Sequence, residues 1–141
     1  MEIFIVDDDA MARRLAEVAL ADIARESGAP LSIFGDSSEA WRVIQSRTGP
    51  ALLILDREMP GMDGLELCRR ARKAGDFPPL YIVMVTSAAQ STQVAEGLEA
   101  GADDYVAKPF HRAELCARAQ VGLRMLALQE SLAGPEQQKP T

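Results

Sequence analysis

Three aspartates, Asp7, Asp8 and Asp9, follow the apolar run Ile3-Phe4-Ile5-Val6, and a fourth, Asp56, ends the apolar run Ala51 to Leu55. Thr86-Ser87 closes a third apolar run, Leu80 to Val85, and Lys108-Pro109 follows the short apolar pair Tyr105-Val106. If these runs are parallel strands, the polar groups gather on one edge of one sheet, the edge where open α/β sheets hold their ligands. Two carboxylates ~5 Å apart repel by about 3 kcal/mol at an effective dielectric of about 20. A cluster of three therefore needs protons, water or a cation. Oxygen ligands with no His or Cys beside them suit Mg²⁺, or Mn²⁺, better than zinc. An ammonium and a hydroxyl at the same edge point to a phosphoryl group, with the metal ion, Lys108 and Thr86 each taking an oxygen. Asp56 is a carboxylate able to carry that group covalently.

The elements that must position these residues alternate along the chain. A strand over about residues 2 to 6 leads into a helix with Met11, Leu15 and Val18 at helical spacing, widened by Ala19 and Ile23. Arg13, Arg14, Glu17 and Arg25 lie on its solvent side, Asp22 interrupts its apolar face, and Ser27-Gly28-Ala29-Pro30 stops it. A short strand, Leu31 to Phe34, precedes Asp36, which with Glu39 signals the cap of a helix carrying Ala40, Val43 and Ile44 inward and Trp41 half-buried. The run Ala51 to Leu55 has no polar face, which suits a strand covered on both sides. Pro60-Gly61 turns the chain, and Leu65, Cys68 and Ala71 mark the inner face of the helix that starts after Gly64 and closes at Gly75. Beyond the strand at Leu80, Ala88 to Ala100 is the weakest helical pattern, with Val94 and Leu98 as its apolar anchors and Gly97 inside it. Ala102 to Val106 reads as a fifth strand, and His111 to about Leu132 as one long helix, ended by Gly134-Pro135. Five strands alternating with five helices give an α/β fold: a doubly wound, flavodoxin-like (βα)5 arrangement with a five-stranded parallel sheet in the order 2-1-3-4-5. The first and third strands then flank the switch point, where Asp7, Asp8 and Asp56 meet.

The bulk properties narrow the classes. A chain of 141 residues is one domain with room for a real core. Its net charge of −6 argues against a sequence-independent nucleic-acid surface, so no direct nucleic-acid contact is expected. Apolar runs fall far short of the ~20 residues of a membrane helix, and the N-terminus begins a strand rather than a leader, so the chain reads as cytoplasmic with no membrane partner. Cys68 and Cys116 lie in helical patterns without metal or redox spacing and read as buried small hydrophobes. The lone His111 reads as a helix-start residue three before Glu114.

Asp7-Asp8, LLILDREMPGMDGLEL, MVTS ending in Thr86-Ser87 and DDYVAKPF together resemble the receiver domain of two-component response regulators, in order and at the expected intervals over about residues 1 to 127. The resemblance implies that Asp56 is the phospho-acceptor, fed by a phosphohistidine on a histidine kinase or phosphotransfer protein. It also implies that Asp8 and Asp56 bind Mg²⁺ directly, Asp7 through water, and Glu58 through its backbone carbonyl. Thr86 and Lys108 are then the catalytic partners of the phosphoryl group, Ser87 is small enough to leave it room, and the bond before Pro109 is cis. Such a chain catalyses its own phosphorylation and dephosphorylation but is mainly regulatory. The side chain of Glu58, two residues after the acceptor, could reach the metal region or repel incoming phosphate, which predicts an altered rate of self-dephosphorylation.

By the same resemblance, Thr86 moves toward the phosphoryl group and Tyr105, the switch aromatic, turns into the space behind it, with the face from Val94 to Tyr105 as the readout. On the last helix, Cys116, Ala119, Leu123 and Leu126 form one seam for the sheet, while Val121, Met125, Leu128 and Leu132 form a second with nothing to bury it, which points to a partner helix and a homodimer on activation. Residues 1–127 are thus the receiver domain and 128–141 the extended end of the last helix with a polar tail or linker, leading to an effector such as a diguanylate cyclase or to a partner protein. A receiver-like docking module that is not phosphorylated is the alternative. A haloacid-dehalogenase-like phosphatase would need a second acid followed by Gly-Thr where this chain has Glu58-Met59-Pro60, and an FMN carrier would place a Ser/Thr/Gly-rich loop where it has aspartates.

Overall fold

A computed structural model describes residues 1–75, 78–87 and 91–138. Five strands, β1 (Glu2–Val6), β2 (Leu31–Phe34), β3 (Ala51–Asp56), β4 (Leu80–Thr86) and β5 (Asp104–Ala107), alternate with five helices, α1 (Ala10–Ser27), α2 (Ser37–Gln45), α3 (Gly64–Lys73), α4 (Ser91–Ala100) and α5 (Arg112–Gln138). The strands pair in parallel in the order β2-β1-β3-β4-β5, the order read from the sequence. Every residue of the central strand β3 is buried, as its unbroken apolar run requires. Because successive strand residues face opposite ways, the sheet divides its apolar side chains into two cores. Ile3, Ile5, Leu52, Ile54, Val83 and Val85 pack with α1 and α5 on one face. Phe4, Val6, Leu53, Leu55, Ile82 and Met84 pack with α2 and α3 on the other. Burying each such side chain stabilises the fold by roughly 1.5–3 kcal/mol.

Local signals hold the helices in place. Asp9, Asp36 and Asp63 cap α1, α2 and α3, each accepting a backbone N–H of the first turn. Gly28 ends α1 in the left-handed region at φ 70°, a conformation that costs a side-chain-bearing residue about 1–2 kcal/mol. His111 accepts the Leu115 N–H at the start of α5, the helix-start place the sequence assigns it.

The structure corrects several helix faces. On α1 the residues against the sheet are Ala12, Ala16, Ala19, Leu20, Ile23 and Ala24, whereas Met11 and Leu15 are 71% and 53% exposed. Alanines let the helix lie close to the sheet, so the larger side chains turn out. Asp22 is exposed and pairs with Arg25, so it does not interrupt the apolar face. Val43 and Leu98 are also exposed, and among the described residues of α4 the buried one is Gly97. β5 begins two residues later than Ala102, and Cys116 is half-buried rather than buried. Helix α5 continues through Gly134-Pro135 to Gln138, because proline's fixed φ is compatible with a helix and the upstream turns outweigh one lost hydrogen bond. The expected helical residues Ala88 to Gln90 and the last tail residues, 139–141, lie outside the described residues. The two seams of α5 are as expected: Ala119 and Leu126 are fully buried, and Val121, Met125, Leu128 and Leu132 are exposed.

Candidate functional site

At the carboxyl edge of the sheet, β1 ends at Val6 and the next residue continues its pairing, with the Asp7 N–H donating to the Phe34 carbonyl at 3.1 Å. Beside it β3 ends on Asp56. Asp7 and Asp56 are 6% and 3% exposed, whereas Asp8 is open to solvent. Asp7, Asp8 and Asp56 each offer a carboxylate oxygen, all within 4.8 Å of one another. Lys108, on the loop after β5, reaches across: its Nζ is 2.9 Å from Asp7 Oδ2 and 3.3 Å from Asp56 Oδ1. Its own N–H donates to the Thr86 carbonyl at 2.7 Å, and the Lys108-Pro109 bond is cis, as the resemblance implies.

Neighbouring groups fix these carboxylates. The Asp9 N–H donates to Asp7 Oδ1 at 2.9 Å, Arg13 Nη1 donates to the Asp7 carbonyl at 2.9 Å, and the Glu58 N–H donates to Asp56 Oδ1 at 3.2 Å. Gly64 lets α3 start directly against the loop after Asp56: its N–H donates to the Arg57 carbonyl at 3.0 Å, and a Cβ there would lie 2.8 Å from the Arg57 Cα. Burial first, and then the adjacent Asp7 carboxylate, push the Asp56 carboxyl up to about 7, against the pull of Lys108 and the Glu58 N–H. Burial draws the Lys108 ammonium down, but its hydrogen bond to Asp7 and the Asp56 charge outweigh this and hold it above the ordinary lysine value. The site therefore holds one ammonium against three acids, a deficit of positive charge that a hard divalent cation fits.

Thr86, fully buried at the end of β4, donates its hydroxyl to Glu58 Oε1. The Ser87 N–H and hydroxyl donate to the same oxygen at 3.2 Å. The sequence places Glu58 near the metal region or the incoming phosphate; the structure sets its carboxylate on Thr86 and Ser87. Tyr105 stands apart from the acid cluster. Its hydroxyl accepts Arg57 Nη1 at 2.8 Å, and its ring lies over Gly97 of α4. Asp7, Asp8, Asp56 and Lys108 are thus brought together, Thr86 adjoins them through Glu58, and Tyr105 is linked to them through the residue after Asp56. Arg57, Arg13 and the capping role of Asp9 escape a reading of the sequence as a site. For Asp9 the signal is its place just before a helix; for Arg13 and Arg57 no local spacing signals the partner.

A family model described as the response regulator receiver domain matches residues 3–120. The DNA-binding response regulator MtrA of Mycolicibacterium paratuberculosis is 40% identical over 122 residues, which cover 86% of this chain and 51% of MtrA. The chain thus spans about half the length of the curated relatives it matches. Among solved structures, the BeF3-activated receiver domain of DrrB, a Thermotoga maritima protein, superposes with a TM-score of 0.74 at 27% identity, covering 87% of this chain and 97% of that one. A two-component response regulator/GGDEF domain protein superposes with a TM-score of 0.78 at 25% identity, covering 90% of this chain and 50% of that one. Strand order, the acid and lysine edge, and these matches agree, and the chain belongs to the receiver domain family of two-component response regulators.

Proposed function

We propose that this receiver is a phosphorylation switch in which Asp56 takes a phosphoryl group from a phosphohistidine on a histidine kinase or phosphotransfer protein. The observation that carries this reading is the convergence of Asp7, Asp8 and Asp56 oxygens within 4.8 Å, with the Lys108 ammonium 3.3 Å from the acceptor. A carboxylate oxygen of Asp56 attacks phosphorus, the bond from phosphorus to the histidine nitrogen breaks, and the imidazole leaves with the electron pair. Lys108 pairs with one phosphoryl oxygen and the Thr86 hydroxyl donates to another. Asp7, Asp8, Asp56 and the Glu58 backbone carbonyl would hold Mg²⁺, or Mn²⁺, which supplies neutralisation of the carboxylates and of the phosphoryl charge. The BeF3-activated state of DrrB supports a switch of this kind in a protein of the same fold. Beside Lys108, a hollow of about 300 Å³ lined by Met11, Leu15, Pro109 and Phe110 offers an apolar seat for the helix that presents the phosphohistidine.

Phosphorylation draws Thr86 off Glu58 and toward the phosphoryl group, and Tyr105 turns inward. The face from Val94 to Tyr105 and the exposed seam of α5 then deliver the signal, in a homodimer or to an output effector. Relatives that bind DNA and a neighbour with a GGDEF domain mark two output classes, and each extends beyond the matched half. Residues 1–127 act as the receiver and the α5 extension as its connection to that output.

The test is the mass change after incubation with acetyl phosphate, with and without Mg²⁺, in the wild type and in Asp56→Asn. One phosphoryl gained with Mg²⁺ and absent from the variant is expected. No gain under any condition makes the chain a docking module that is not phosphorylated.

A further inference from the structure

Arg13, half-buried on α1, reaches the acid site through a carbonyl rather than a carboxylate: its Nη1 donates to the Asp7 carbonyl at 2.9 Å. The guanidinium lies so close against Gly35, the residue after β2, that a Cβ there would stand 2.8 Å from Nη1 and 3.3 Å from Cζ. Asp7 is thereby gripped on all sides. Its N–H donates to the Phe34 carbonyl at 3.1 Å, its carboxylate takes the Asp9 N–H and the Lys108 ammonium, each at 2.9 Å, and its carbonyl takes Arg13. Asp8 is the opposite case. Its carboxylate is open to solvent, and among the described residues no hydrogen bond or ion pair reaches it, although one of its oxygens lies within 4.8 Å of those of Asp7 and Asp56. What aims it is its main chain.

We infer that Arg13 is a positioning residue that aims Asp8 at the metal site by fixing the peptide between Asp7 and Asp8, and that Gly35 leaves the room its guanidinium needs. This rests on the reading of Asp7, Asp8 and Asp56 as ligands of a divalent ion. A peptide unit is planar, so the carbonyl of Asp7 and the N and Cα of Asp8 move as one body. Holding the oxygen from α1 limits the directions in which the exposed Asp8 side chain can leave, and groups that orient a ligand in this way strengthen metal binding. Arg13 is also a cation near a site for a cation, and its charge alone would weaken that binding. The two roles are opposite in sign and can be separated. In Gly35→Ala the added methyl displaces the flexible end of Arg13 from the carbonyl while its charge stays nearby.

The experiment titrates metal-free protein with Mn²⁺ and counts the free ion by EPR. Gly35→Ala is expected to weaken binding roughly tenfold, the low end for loss of a group that orients a metal ligand. Arg13→Ala should weaken it by less, because a cation is removed as well, and adding Gly35→Ala to that variant should cost nothing further. A charge acting alone gives the reverse, tighter binding in Arg13→Ala and no change in Gly35→Ala. Unchanged or tighter binding in Arg13→Ala overturns the inference, as does unchanged binding in Gly35→Ala or a double variant in which the two losses add. The ¹H–¹⁵N NOE of the Asp8 amide, read without metal, should fall in both single variants while strand amides keep their values, which a general loosening of the fold would not allow. An Asp8 amide as ordered as in wild type also overturns it. Should Arg13→Ala not fold, Gly35→Ala is held to the same two readouts. A wild type that binds no Mn²⁺ sinks the metal reading instead, and the Asp8 amide still decides whether Arg13 fixes that peptide.

Discussion

Replacing Asp56 by Asn should stabilise the metal-free fold, increasingly so as pH rises. The wild-type carboxyl is pushed from its ordinary value of 3.8 up to about 7 by burial and by Asp7. Between those two values the folded protein binds a proton that the unfolded chain has released, so wild-type stability falls as pH rises through that window. Above it the loss is complete. At 1.36 kcal/mol per pH unit, the span amounts to about 4 kcal/mol as a ceiling. The amide in Asp56→Asn has the shape of the carboxyl without its charge and escapes this loss. Lys108 keeps its 2.9 Å pair with Asp7 in the variant but loses its second carboxylate, which returns part of the gain. The expected difference is about 2–3 kcal/mol at pH 8 and less than about 1 kcal/mol at pH 4. Urea unfolding of both proteins in EDTA across pH 4 to 8 measures it, with equal m-values required for the comparison. Mg²⁺ should then stabilise the wild type far more than the variant, in proportion to its occupancy. A difference that stays flat from pH 4 to 8, or a variant less stable than wild type at pH 8, would refute the argument that Asp56 is held charged at a cost.

Three further outcomes follow from named contacts. Because the Glu58 carboxylate occupies the hydroxyls of Thr86 and Ser87, Glu58→Asn should take up phosphoryl from acetyl phosphate faster, by roughly the tenfold that 1.4 kcal/mol represents, and should decay at a changed rate. Uptake and lifetime equal to wild type would defeat that account. Gly64→Ala places a methyl against the backbone of Asp56 and Arg57, so its unfolding free energy from urea titration should drop by about 2–4 kcal/mol and its phosphoryl uptake should fall with the displaced Asp56. Leu128 and Leu132 are 53% and 78% exposed on α5, and Leu128→Glu with Leu132→Glu should leave BeF3⁻-loaded protein monomeric in sedimentation while sparing the fold. A wild type that is itself monomeric when loaded would assign the seam to another partner.

The architecture is legible because parallel strands covered on both faces have no polar alternation, so Ala51 to Leu55 announces itself, and because chemistry in such sheets gathers where the strands end. Asp7, Asp8, Asp56 and Lys108 are found by that rule alone. Helix faces are less legible where small residues do the packing. Periodicity weighted by size gives Met11 and Leu15 the inner face of α1, yet Ala12, Ala16 and Ala19 occupy it, because close approach to the sheet buries more of the helix as a whole. On α4 the same bias favours Leu98 over Gly97, whose lack of a side chain makes room for the Tyr105 ring. Glu58 is visible as an unusual charge beside Asp56, but its target is not, since Thr86 is 28 residues away, beyond α3 at the end of β4, and no periodic signature links the two. Arg57 is illegible for the same reason, with partners 36 to 48 residues on.

These two residues matter most as a pair. The switch proposed for this receiver moves two hydroxyls, that of Thr86 toward the phosphoryl group and that of Tyr105 as its ring turns. In the structure each is held by a side chain of the loop that begins at Asp56: Glu58 on Thr86 and Arg57 on Tyr105. The loop is itself rigid, tied to Val85 and Gly64 by the main chain of Arg57 and to Asp56 by the Glu58 N–H. Opposite charges on adjacent residues thus fasten the two ends of the switch, and neither can move without breaking a charge-assisted bond worth about 1.5–3 kcal/mol. A phosphoryl group compensates Thr86 directly, by accepting the hydroxyl that Glu58 loses, but nothing comparable compensates Arg57. Combining Glu58→Asn with Arg57→Ala should therefore release both hydroxyls at once, and the Tyr105 signal in ¹³C-tyrosine NMR should move further from wild type in the double variant than in either single one.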